Sequence, residues 1–195
     1  MKLVSKLLLL FFMLGLVSVC LPQKVLAVSD EGITSFQLYQ SKANQGDADA
    51  QFNLALLYYH GVGTPRDTRY AIYWYTKAAE QGHVNAQYNL GRLYMYGYGE
   101  EVRQDPKLAV YWLTKASEQG LVQAQYGLGH LYEWGDGGPQ DYKQAFFWYT
   151  KAAGQGHVFA EDDRDKMLEK MSQSQIEEVQ KLSKELYEKI NNKAK

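Results

Sequence analysis

Four histidines and one acidic run are the residues of this chain best suited to chemistry. His60, His83, His130 and His157 are candidates for proton transfer or metal ligation, because imidazole titrates near neutral pH and its free nitrogen binds metals. Glu161, Asp162 and Asp163 offer neighbouring carboxylates for acid/base work or for a cation. Their surroundings argue against both uses. His83 and His157 fall at the same place in a repeating phrase, where the middle copy carries Leu121, so they read as a habit of the repeat. The acidic run stands beside Arg164 and Lys166 and reads as a solvated helix surface. No HExxH, phosphate-binding glycine loop or nucleophile motif is present, so no catalytic, cofactor-binding or metal-binding residue is assigned.

An aromatic cluster poses the other chemical question. YAIYWYTKAAEQGH, from Tyr70 to His83, returns as AVYWLTKASEQG from Ala109 and as AFFWYTKAAGQGH from Ala145. A feature present three times is first a feature of the repeat. Gly46, Gly82, Gly120 and Gly156 recur at steps of 36, 38 and 36 residues, and Ala50, Ala86, Ala124 and Ala160 keep the same steps. Trp74, Trp112 and Trp148 follow at 38 and 36. The two extra residues of the middle unit lie in GYGEEVRQDPK, Gly97 to Lys107, where glycine and proline mark a turn.

Each unit reads as two helices. AQFNLALLYYHG, AQYNLGRLYMYG and AQYGLGHLYEWG place apolar residues at relative positions 0, 4, 7 and 8, a single helical stripe. Gly61, Gly97 and Gly135 are expected to end these helices in the left-handed conformation. Asp67, Asp105 and Asp141 are expected to cap the second helices, with Pro106 at a first helical position. In the second helix Ala71, Trp74, Tyr75, Ala78 and Ala79 share a face, so one large ring between alanines is expected to fill the space between close-packed helices.

The pattern A-x-x-x-LG-x-x-Y-x-x-G-x-G followed by D-x-x-x-A-x-x-W-x-x-x-AA-x-x-G resembles Sel1-like repeats, relatives of the tetratricopeptide repeat, over roughly residues 34 to 171. Ala55 stands where Gly91 and Gly129 carry glycine, and Ser117 replaces an alanine. The resemblance implies an all-α, right-handed α-solenoid of stacked helix-turn-helix units. Residues 28–46 read as a linker and an N-terminal half-repeat helix, and 47–171 as three full repeats plus a terminal half. Residues 172–195 read as a capping helix, opened by a capping box at Ser172/Gln175 or Ser174/Glu177 and striped by Ile176, Val179, Leu182, Leu186 and Ile190.

Residues 1–27 read as an export signal: Lys2 and Lys6, an apolar run from Leu7 to Val19, and Val25-Leu26-Ala27 before the cut. Thirteen apolar residues fall short of the about twenty that span a bilayer, so no stable membrane insertion is expected after cleavage. Cys20 is the only cysteine; it ends the run where lipoproteins are cut, but Val19 replaces the small residue such a site requires. Cleavage after Ala27 removes Lys2, Lys6 and Lys24 and leaves 18 basic against 22 acidic residues, a net charge of −4. Nucleic acid and anionic membranes are poor partners for such a chain, and a periplasmic or secreted location is expected.

In arrays of helix pairs the first helices line the concave side. Relative positions 3, 6 and 10 avoid the core stripe: Asn53, Leu56, His60; Asn89, Arg92, Tyr96; Gly127, His130, Trp134. Asn53, His60, Asn89, Arg92, Tyr96, His130 and Trp134 are the candidate partner-binding residues, against a reading in which His60, Tyr96 and Trp134 are half-buried turn contacts. Tyr73, Tyr111 and Phe147 form a candidate outer aromatic ridge, against a reading in which each ring extends the core. The function expected is a protein-interaction scaffold with no cofactor and another protein as partner. The alternatives are a weak hydrolase of β-lactam or cell-wall-like compounds, as described for cysteine-rich relatives of these repeats, and a carbohydrate-binding module. This chain lacks the paired cysteines of those relatives.

Overall fold

The computed structural model describes residues 30–181 and side chains from residue 34. The export signal, Cys20 and the stripe residues Leu182, Leu186 and Ile190 lie outside the described residues. The elements are α1 (Asp30–Asn44), α2 (Ala48–His60), α3 (Thr68–Glu80), α4 (Val84–Tyr96), α5 (Pro106–Glu118), α6 (Val122–Trp134), α7 (Tyr142–Gly154) and α8 (Ala160–Lys170). A ninth helix, α9, covers 173–181. Each helix packs chiefly on the helix before and after it, the one-dimensional contact pattern of a solenoid. No helix among the described residues is long and apolar enough to cross a membrane.

Local chemistry starts and stops these helices. Asp67 accepts hydrogen bonds from the backbone of Arg69 and Tyr70, Asp105 from Leu108, and Asp141 from Lys143 and Gln144, satisfying amides that open α3, α5 and α7. Gly61 and Gly135 end α2 and α6 in the left-handed conformation. Gly97 departs from the expectation: its φ is +68° but its ψ is 178°. The two-residue insertion is the cause. The chain must turn at once into a small bridge between Tyr98 and Val102, and a Cβ on Gly97 would lie 2.9 Å from the Val102 carbonyl oxygen. Of the two candidate capping boxes the structure forms Ser172/Gln175: Gln175 Oε1 accepts from the Ser172 amide at 2.9 Å, and Ser172 Oγ accepts from the Gln175 amide.

The core ranks the aromatic residues differently from the sequence reading. Tyr75 and Tyr149 are fully buried, whereas Trp74 and Trp148 are half-buried and only Trp112 among the tryptophans is enclosed. One residue along a helix is a turn of about 100°, so the position after the tryptophan points into the slot between helices. That slot is made by a small residue on the first helix. A Cβ on Gly129 would overlap the ring of Tyr149, and one on Gly91 would lie 2.6 Å from Leu113 Cγ. The recurring Leu-Gly phrase is therefore a close helix approach, with each enclosed large side chain worth about 1.5–3 kcal/mol of burial.

A polar ladder runs through the same interfaces. Gln51, Gln87 and Gln125 are buried, and each donates its amide to a carbonyl of the preceding helix, on Ala43, Ala79 and Ser117. Each in turn accepts a hydrogen bond from the glutamine that follows the next second helix: Gln81 at 2.7 Å, Gln119 at 2.8 Å and Gln155 at 2.8 Å. Three helices are thus tied at every step, and the buried amides are satisfied at both ends.

Candidate functional site

The first-helix positions 3, 6 and 10 divide into residues turned inward and residues left in water. Asn53 donates to the Asp49 carbonyl of its own helix at 2.8 Å. Asn89 is half-buried beside the Tyr75 hydroxyl, whose pKa burial pushes up to about 12. His130 is half-buried, its ring edge-on to Tyr126 at 4.7 Å and to Tyr149 at 5.8 Å. By contrast, His60 and Arg92 are exposed, Tyr96 is 62% exposed and Trp134 is 67% exposed. Position 10 therefore presents rings to solvent rather than turn contacts. The Arg92 guanidinium lies 5.7 Å from the Tyr88 ring centre and makes no ion pair among the described residues.

The same face ends in a polar cluster that the sequence reading missed. Glu133, buried on α6, accepts from the Tyr149 hydroxyl at 2.7 Å and from Lys170 Nζ at 2.7 Å. Asp163 accepts from the Tyr126 hydroxyl at 2.6 Å and from Lys166 at 2.7 Å. Burial, reinforced by the adjacent carboxylates, raises the pKa of both phenols. Burial alone would raise Asp163, but the bonds from Lys166 and Tyr126 outweigh it and hold the carboxyl below its ordinary value. Asp163 is thus no part of a solvated surface, as the acidic run suggested; Glu161 and Asp162 are exposed. Asp163, Lys166 and Lys170 occupy positions 3, 6 and 10 counted from Ala160, so extending the register into the terminal half would have found them. Glu133 had no such signal, since Tyr59 and Met95 stand at its place in the other units.

The two histidines of the repeat phrase are structural. His83 stacks on Phe52 at 4.4 Å and its Nδ1 accepts from the Ala86 amide that opens α4. His157 stacks on Tyr126 at 4.0 Å, and burial lowers its pKa. Among the described residues no group of three or more His, Cys, Asp or Glu is placed to hold a metal ion. On the second helices, Tyr73, Tyr111 and Phe147 are exposed and stand edge-on to Trp74, Trp112 and Trp148.

The Sel1 repeat model matches residues 48–83, 84–121 and 122–157, and each match spans one of the helix pairs described above. The chain belongs to the Sel1 repeat family. A Sel1 repeat protein from Oxalobacter formigenes is similar in structure, with 36% identity and a TM-score of 0.64 over 70% of this chain and 56% of that one. A protective antigen of uropathogenic Escherichia coli strains, displaying an SLR fold, is 33% identical with a TM-score of 0.63 over 76% of this chain and 32% of that one. The chain therefore spans about half and about a third of those two proteins. No curated protein matches it. Outside the three matched Sel1 repeats, α1 packs on α2 and α8 packs on α7. Ile176 and Val179 of α9 pack against Tyr149, Met167 and Met171.

Proposed function

We propose that this Sel1 array is an exported protein-interaction scaffold whose first-helix face receives a partner protein. Sel1 repeat proteins are in general interaction scaffolds of this kind. One observation carries the assignment to this face: Arg92, Tyr96 and Trp134 stand in water on consecutive units, while their neighbours Asn89 and His130 are tied inward. Arg, Tyr and Trp are the residues that dominate binding hot spots, and the glutamine ladder between the helices supplies a rigid frame, which lowers the ordering cost of association. A hydrolase lacks a comparable observation, because Glu133 and Asp163 are each engaged by a tyrosine and a lysine. Export rests on the basic, apolar and small-residue order of residues 1–27.

The test is affinity capture from the periplasmic and culture fractions with the wild-type array and with Arg92→Ala/Trp134→Ala. The N-terminus of the native chain is read from the same fractions. A protein retained by the wild type and lost from a variant of unchanged helicity supports the assignment, as does a chain beginning at Val28. Equal retention by both arrays removes the first-helix face from consideration, and an intact Met1 confined to the cytoplasm removes export.

A further inference from the structure

The second helices carry a pattern that neither the core nor the first-helix face uses. Arg69, Tyr73 and Lys77 follow at intervals of four in α3, as do Lys107, Tyr111 and Lys115 in α5 and Lys143, Phe147 and Lys151 in α7. Four-residue spacing puts each triplet on one helix face. The rings are 51%, 50% and 39% exposed. Each has the indole of the next residue edge-on at 5.0, 4.8 and 5.1 Å, and a lysine ammonium 5.9, 5.0 and 5.0 Å from its centre. Arg69 lies 3.8 Å from Asp67 and Lys143 2.9 Å from Glu178; the other four cations make no ion pair among the described residues. Glu80 and Glu118, both exposed, follow Lys77 and Lys115 by three residues, so carboxylates end two of the three stripes.

We infer that this second-helix face binds a linear acidic polysaccharide, a polymer of uronic acids laid across successive units. The three side-chain types match that polymer part by part. An aromatic ring offers a flat apolar surface to the C–H face of a pyranose, an ammonium meets the uronate carboxylate, and Glu80 and Glu118 accept from hydroxyl groups. Repetition in three consecutive units suits a ligand that itself repeats, because contacts made together multiply. A polyanion without pyranose rings, such as polyglutamate or a lipid headgroup surface, fits less well, because it offers no flat C–H face to Tyr73, Tyr111 and Phe147. This face is independent of the partner face proposed above, and either assignment stands without the other.

Titration calorimetry on the full chain with polygalacturonate and hyaluronate tests the inference, with polyglutamate, a single-stranded oligonucleotide and phosphatidylglycerol vesicles as comparators at matched charge. Binding of at least one uronate polymer is expected, weakened about tenfold or more by Tyr73→Ala/Tyr111→Ala/Phe147→Ala and separately by Lys77→Gln/Lys115→Gln/Lys151→Gln. Should the ring variant lose its helicity, the lysine variant, which removes no apolar surface, decides alone. Failure to bind either uronate polymer overturns the inference. So does equal binding of any comparator, which would reduce the face to general electrostatics, or a wild-type affinity in a folded variant.

Discussion

Replacing Gln87 by methionine removes a rung of the glutamine ladder while keeping the length of the side chain. In the native array its amide donates to the Ala79 carbonyl at 3.0 Å and its Oε1 accepts from Gln119 at 2.8 Å. Neither partner is left bare, since Ala79 also accepts from the Gly82 amide and Gln119 also donates to the Gly82 carbonyl. The loss is therefore the net value of two hydrogen bonds without an orphaned group, about 1–2 kcal/mol, and methionine adds little cavity penalty. For a chain of this size that corresponds to a melting temperature lowered by roughly 2–8 °C. Circular dichroism at a helical wavelength measures it, with Gln123→Met, an exposed change on α6, as the control. In a double cycle with Gln119→Met the two changes should cost less together than their sum, because they break one shared bond. A Gln87→Met array that melts within about 1 °C of the control, or a strictly additive cycle, would refute the ladder as a source of stability.

Two further outcomes follow from the same packing. Gly129→Ala should destabilise by about 1–3 kcal/mol because the new methyl group overlaps the Tyr149 ring, whereas Gly154→Ala meets nothing within 4 Å and should gain up to about 1 kcal/mol; chemical denaturation of both variants measures the contrast. The depressed pKa of His157 means that the folded state prefers the neutral ring. Its contribution is complete above the unfolded value of about 6.5 and is lost as pH falls through the lower folded value. Melting temperature should therefore decline between about pH 7 and pH 5, and less steeply in His157→Leu, the residue the middle unit already carries as Leu121; equal slopes would dismiss the histidine.

What the sequence determined alone is what depends on a few neighbouring residues. Asp67, Asp105 and Asp141 could be read as caps because an N-cap needs only a short acceptor and the amides two or three residues on. The helix pairs and the family pattern followed from periods of about four residues and of 36 or 38 residues, both visible along one dimension. Gly97 marks the edge of that reach: its positive φ was legible, but its ψ answered to an insertion folding back through Val102.

Tertiary structure decided everything that depends on how one unit rests on the next. Tyr75 and not Trp74 is the enclosed ring, because the gap between two helices lies about 100° around from the neighbouring position. Gln51 and Gln81, or Glu133 and Lys170, are distant in sequence, and an amide or carboxylate shows nothing in the sequence of whether its partner will be water or another helix. The candidate residues at positions 3, 6 and 10 were separable into tied and free only after stacking had brought Tyr75 to Asn89 and Tyr149 to His130. A repeat writes its own units in the sequence, but the desolvated interface between units exists only once two of them have packed.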